Sequence, residues 1–142
     1  KNLLNQGLEL SKNKHVIIES NEKIMVFCDV VKIAIVLKNL LDNAEKYAPS
    51  KKPVSITYTQ ENNNISISCQ DFGPGIPKNL IEKIMQPYVR GSNLNKSGFG
   101  LGLSICKRIL GAHQGTVSVS NNKDEGATFT ITWNHLRLQE GI

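Results

Sequence analysis

Apolar and polar positions along this chain alternate with two different periods, and the switches between them mark out its elements. Leu3, Leu4, Leu8 and Leu10 recur at helical spacing, which predicts a short amphipathic helix ending near Lys12. His15–Glu19 and Lys23–Cys28 alternate with period two around a polar Ser20-Asn21-Glu22 turn, the pattern of a β-hairpin. Asp29 is a good N-cap, and a long helix is expected from there to about Tyr47, where Ala48-Pro49 ends it. Val54–Thr59 and Ile65–Cys69 form a second hairpin around Asn62-Asn63-Asn64. Pro77 opens a short helix over Lys78–Met85. Residues 86–100 carry Gly, Ser, Asn and Lys without periodicity, and a loop of that length inside a compact domain is usually functional or disordered. Helical periodicity returns over Gly102–Ala112, and Gly115–Ser120 with Ala127–Trp133 makes a last hairpin. Hairpins alternating with helices predict an α/β (α+β) two-layer sandwich. Its sheet is mixed, mostly antiparallel and of about five or more strands, with three main helices packed on one face.

The long helix sorts into three stripes. Ile33, Leu37, Leu40, Leu41 and Ala44 form the apolar one, and Lys38, Asp42 and Glu45 a charged face suited to water. Asn39, Asn43 and Lys46 fall within an arc of about 60°, roughly opposite the core stripe. Two carboxamides and an ammonium on one line suit a hydrated cation and phosphate oxygens; equally, they suit a helix face in water. Asparagine is a poor interior helix former, so two at i, i+4 ask for a reason.

Asp71-Phe72-Gly73-Pro74-Gly75-Ile76-Pro77 follows directly on a strand. Its glycines and prolines specify a tight turn that lets backbone approach a flat ligand, and the aspartate can accept from an exocyclic amine such as that of adenine. A plain turn with a surface Asp accounts for the same residues. Gly98-Phe99-Gly100-Leu101-Gly102-Leu103 joins the polar loop to a helix, where free backbone N–H groups and the positive helix end favour phosphate. Neither a P-loop nor a dinucleotide-binding turn is present.

Composition narrows the picture without changing it. At 142 residues, with 39% hydrophobic and 20% charged, the chain reads as one ordinary globular domain over 1–142. No apolar run approaches the roughly 20 residues that cross a bilayer. The start at Lys1 lacks Met and a signal pattern, so the expectation is a cytoplasmic piece of a longer protein whose remainder can be membrane-bound. The three cysteines, Cys28, Cys69 and Cys106, read as reduced buried thiols, and the scattered histidines argue against zinc. A net charge of +5 is spread along the chain rather than gathered in a run, which speaks against nucleic-acid binding.

The ordered set of Asn39–Pro49, Asp71–Ile76, Gly98–Leu103 and Gly126-Ala127-Thr128-Phe129 resembles the asparagine box and three glycine boxes of sensor histidine kinases. These belong to the ATPase superfamily that includes DNA gyrase, Hsp90 and MutL. The resemblance implies that the chain binds ATP (or ADP) with Mg²⁺, with Asn43 as the metal ligand and Asn39 and Lys46 at the phosphates. It implies that Asp71 recognises the adenine amine, with Thr128 nearby through water, Tyr47 near the base, Ile76 among the nucleotide-binding residues, and Gly73, Gly75, Gly98, Gly100 and Gly102 giving close backbone approach. Phe99, Leu101 and Leu103 belong to the same motif. Residues 86–100 become an ATP lid, with Tyr88 and Arg90 as contacts; Met85 and Tyr88 stand where the family often has phenylalanines.

The implied function is transfer of the γ-phosphoryl group to a histidine on a separate dimerisation and acceptor domain, with a response regulator downstream. None of His15, in a strand, His113, at a helix end, or His135, near the C-terminus, sits in the helical setting of an acceptor. Alternatives on the same fold are an anti-sigma-type serine kinase, a nucleotide-responsive binding module without catalysis, and gyrase-like ATP-driven dimerisation, for which no long N-terminal arm is present.

Overall fold

The computed structural model describes residues 2–11, 16–20, 22–47, 52–85 and 100–135, with 45–47, 84–85 and 100–102 described by their backbone. The elements run α1 (Leu3–Leu10), β1 (Val16–Ile18), α2 (Val30–Tyr47), β2 (Val54–Glu61), β3 (Asn64–Gln70), α3 (Lys78–Met85), α4 (Gly100–Ala112), β4 (Thr116–Asn121) and β5 (Ala127–Asn134). The sheet has five strands in the order β1-β2-β3-β5-β4. The β1–β2 pair is parallel and the other pairs are antiparallel, which is the mixed, mostly antiparallel sheet expected.

Alternation along the strands decides which face the helices cover. Ile65, Ile67 and Cys69 of β3 and Phe129, Ile131 and Trp133 of β5 are buried against Ile33, Leu37, Leu40 and Leu41 of α2 and Leu103, Cys106 and Leu110 of α4, in one continuous core. The residues between them are hydroxylic and pair across the ladder, Ser66 with Thr132 at 3.0 Å and Ser68 with Thr130 at 2.9 Å. Among the described residues no helix is long and apolar enough to cross a membrane.

Local signals explain most boundaries. Asp29 Oδ1 accepts from the Lys32 backbone nitrogen at 3.1 Å, capping α2. The Pro77 carbonyl accepts from Leu80 and Ile81 as α3 begins, and Asn62, at φ 56°, makes the β2–β3 turn.

Three expectations are corrected. Residues 23–28 form no strand, and β1 pairs with β2 instead of with them. Their alternation is real, since Ile24, Val26 and Cys28 pack on the core while Met25 and Phe27 are exposed. The segment runs across the strands rather than along one. The Tyr58 hydroxyl of β2 donates to the Glu22 carbonyl, and Trp133 Nε1 of β5 donates to the Phe27 carbonyl at 3.1 Å, so no ladder can form. Second, the charged face of α2 is partly covered: Ser11, at the end of α1, donates to Asp42 at 2.6 Å, beside the 2.9 Å Lys38–Asp42 ion pair. Third, α4 starts at Gly100 rather than Gly102.

Candidate functional site

The two long helices lie antiparallel, and their contacts fix a register. His113 Nε2, just past α4, accepts from the Asp29 backbone nitrogen at 3.1 Å, and its Nδ1–H therefore faces the Ile109 carbonyl at 2.8 Å. Seven residues further along α2 and seven back along α4, the Cys106 thiol donates to the Val36 carbonyl at 3.8 Å. A further equal step, about two turns, brings Asn43 level with the start of α4. Trp133, at the far end of β5, sits by Phe27 next to the start of α2. Asp71 follows the opposite end of β3, so Asp71, the C-terminal half of α2 and the N-terminus of α4 share one pole of the molecule.

At that pole Asp71 is buried, and its carboxylate is held rather than free. Oδ1 accepts from the backbone nitrogens of Ala127 at 3.0 Å and Gly73 at 3.2 Å. The Asp71 nitrogen continues the ladder onto the Ala127 carbonyl at 2.9 Å. Both of these bonds to the carboxylate use Oδ1, which fixes the group's orientation and leaves Oδ2 outside them. Gly75 has φ 81° and Ile76 is buried, so the turn from 71 to 76 leaves the sheet and re-enters the core.

Asn39 and Asn43 are both partly buried instead of standing fully in water. Asn39 lies beside the buried Cys106 thiol of α4, and Asn43 is partly buried with its Nδ2 enclosed and without a partner among the described residues. The expected position opposite the core is therefore corrected for Asn39 and Asn43, which are partly enclosed on the side of α2 toward α4. A buried carboxamide nitrogen without an acceptor is costly unless a ligand supplies one. The backbone of Lys46 and Tyr47 continues α2 toward the same pole.

Gly100, Leu101 and Gly102 form the first turn of α4, and Leu103 is buried in the core. Tyr88, Arg90, Gly98 and Phe99, with the whole of 86–99, lie outside the described residues, as does His15. Thr128 is not brought beside the Asp71 carboxylate. It lies on the sheet face opposite Ala127 and Phe129, where its hydroxyl donates to Asn122 Oδ1 at 2.5 Å. Asn122 in turn donates to the Asp71 carbonyl at 3.1 Å, so Thr128 reaches the turn only through that side chain.

Two neighbours of the turn carried no signal that sequence reasoning used. Asn121 and Asn122 read as a polar hairpin loop, yet both bond residues some 45 to 51 positions earlier in the chain. All three thiols are free; Cys69 and Cys106 are buried as expected, whereas Cys28 is only partly buried. Burial pushes Cys69 and Cys106 up to about 12 and Cys28 to about 11. Among the described residues no cluster of His, Cys, Asp or Glu is arranged for a metal ion.

The family profile for histidine kinase-, DNA gyrase B- and HSP90-like ATPases matches residues 28–137, and the chain belongs to that family. Within it, the architecture is that of histidine kinase catalytic domains. The chain superposes on the nucleotide-free catalytic domain of histidine kinase ThkA with a TM-score of 0.73 and 28% identity, covering 94% of this chain and 90% of that one. Full-length ShkA in complex with AMPPNP gives a TM-score of 0.72 at 26% identity, over 93% of this chain and 29% of that one. Among curated relatives, the adaptive-response sensory kinase SasA of Synechococcus sp. strain CC9311 is 39% identical over 109 residues, 75% of this chain and 28% of the relative. SasA of Nostoc sp. strain PCC 7120 is 40% identical over 109 residues, 75% of this chain and 27% of the relative. The chain thus spans under a third of the length of the curated relatives it matches.

Proposed function

We propose that this chain, as one domain over residues 1–142, is the catalytic half of a cytoplasmic sensor histidine kinase. It binds Mg·ATP and passes the γ-phosphoryl group to a histidine on a separate helical dimerisation and acceptor domain, from which a response regulator takes it. The observation that carries this reading is the convergence at one pole of an oriented acid, Asp71, an enclosed carboxamide, Asn43, and the N-terminus of α4.

Each group has a distinct task. Asp71 Oδ2 accepts from the exocyclic amine of adenine, and because Oδ1 is already held by two backbone N–H groups the carboxylate is oriented in advance. Asn43 offers Nδ2 to a phosphate oxygen and its carboxamide oxygen to the cation, while Asn39 and Lys46 extend the same line. The first turn of α4 offers N–H groups that have no partner within the helix and the positive end of a 13-residue helix. Residues 86–100, with Tyr88 and Arg90, serve as the lid. Phosphoryl transfer needs little covalent help from the protein; when bound, the cation and nucleotide supply the charge neutralisation and the group transferred.

The acceptor is read as belonging to another domain: among the described residues His113 and His135 are buried, and neither presents its ring to a partner. Incubation of the chain with radiolabelled ATP, with and without a helical acceptor domain bearing a histidine, tests this reading. Acid-labile label should appear on the added domain and not on this chain, and Asn43→Ala should lower it by orders of magnitude. Label on the chain alone, or full transfer by Asn43→Ala, contradicts it.

A further inference from the structure

Asn121 makes two hydrogen bonds to one residue 45 positions earlier: its Oδ1 accepts from the Ile76 nitrogen at 2.8 Å, and its Nδ2 donates to the Ile76 carbonyl at 2.8 Å. A side-chain amide that both accepts from and donates to one residue's backbone imitates a neighbouring strand. The next residue works at the other end of the same turn, where Asn122 Nδ2 donates to the Asp71 carbonyl at 3.1 Å and to the Glu125 carbonyl at 2.9 Å. Two consecutive asparagines at the end of β4 thus hold both ends of the 71–76 segment. Between those ends lies Gly75 at φ 81°, and a Cβ built there would stand 2.9 Å from Asn121 Oδ1, so the glycine and the amide are mutually fitted.

We infer that Asn121 and Asn122 are positioning residues for nucleotide recognition, which rests on the reading of Asp71 as the adenine acceptor. Ligand selectivity at that turn depends on where Oδ2 points. The aspartate's own bonds set its torsion, but they do not set where Gly73, Gly75 and Ile76 stand opposite the base. Asn121 does so, from outside the core. Its side chain is exposed apart from these two bonds, so its removal opens no cavity and leaves the buried sheet and helix face intact. What changes is the spread of turn conformations: a site that must be ordered on binding binds more weakly than one ordered beforehand. A role in packing alone would lower stability without altering the preference between purines, whereas a positioning role alters the preference.

The test is calorimetry of ATP and GTP on the intact chain with Mg²⁺, alongside thermal melts and amide exchange. Asn121→Ala loses both bonds and Asn121→Ser can replace one. ATP should bind roughly tenfold more weakly to the alanine variant and to an intermediate degree to the serine variant, with the ATP-to-GTP ratio falling in the same order and the melting temperature falling no further than the loss of the Ile76 bonds accounts for. Unaltered ATP affinity and ratio in both variants overturns the inference, as does a wild-type Ile76 amide that exchanges as fast as an unbonded one. Should the wild type itself fail to distinguish ATP from GTP, the adenine reading falls first. If the wild type distinguishes them and the variants do so equally well, only the role of Asn121 falls.

Discussion

A Cβ on Gly126 would stand 2.1 Å from the carbonyl oxygen of Asp71 and 2.8 Å from its Oδ1. Gly126 also holds φ at 82°, so the β5 hairpin can reach the Asp71 turn only with glycine at this point. Gly126→Ala is expected to lower stability by about 1–3 kcal/mol from backbone strain alone, and by more where the contact forces the strands apart. Denaturant midpoints at constant m-value measure it.

The opposite pole gives a contrasting expectation. His113 joins the ends of α2 and α4 by accepting from the Asp29 N–H, and His113→Ala leaves that donor without its partner. A loss of roughly 1–3 kcal/mol follows. Because this contact lies at the far end of both helices from Asp71, ATP affinity of the folded variant should stay within about twofold of wild type. Chemical denaturation and calorimetry on the same preparation separate the two effects.

The buried thiols set an alkaline limit. Burial raises Cys69 and Cys106 from 9.0 to about 12, so between those values the unfolded chain gives up thiol protons that the fold retains. Their stabilising contribution is therefore complete below pH 9 and is lost as pH rises from 9 to 12, at up to about 1.4 kcal/mol per pH unit for each group. Cys106→Ala should flatten that slope in denaturant titrations, whatever its cost at pH 7. At neutral pH neither thiol should react with a thiol reagent until the chain unfolds.

Periodicity located most of the fold, because strands such as β3 and β5 bury alternate residues and α2 buries a stripe. It failed at 23–28, where alternation reflects packing against the core while the hydrogen bonds go to Tyr58 and Trp133, a partnership no local pattern encodes. At the site, Asp71 and the asparagines of α2 stood out because an acid in a glycine turn and carboxamides inside a helix are out of place without a task. Asn121 and Asn122 did not, since asparagine in a hairpin loop is ordinary and only the tertiary contact to Ile76 and Asp71 distinguishes them. The family resemblance implied Thr128 near the adenine amine through water, but the pleat of β5 turns its hydroxyl to Asn122 on the other face.

The central claim is that Asp71 reads adenine through one oxygen while the other holds the turn. In Asp71→Asn the remaining oxygen can still accept from Ala127 and Gly73, so the turn survives, but an NH₂ group replaces the outward acceptor and opposes the adenine amine. Calorimetry of ATP and GTP against wild type and Asp71→Asn, with Mg²⁺ present, is the most direct measurement. The account predicts that wild type binds ATP well and GTP poorly, and that the variant, with an unchanged melting temperature, loses about 1.5–3 kcal/mol for ATP. Equal affinity of wild type for the two nucleotides, or an Asp71→Asn variant that binds ATP as wild type does, would contradict it.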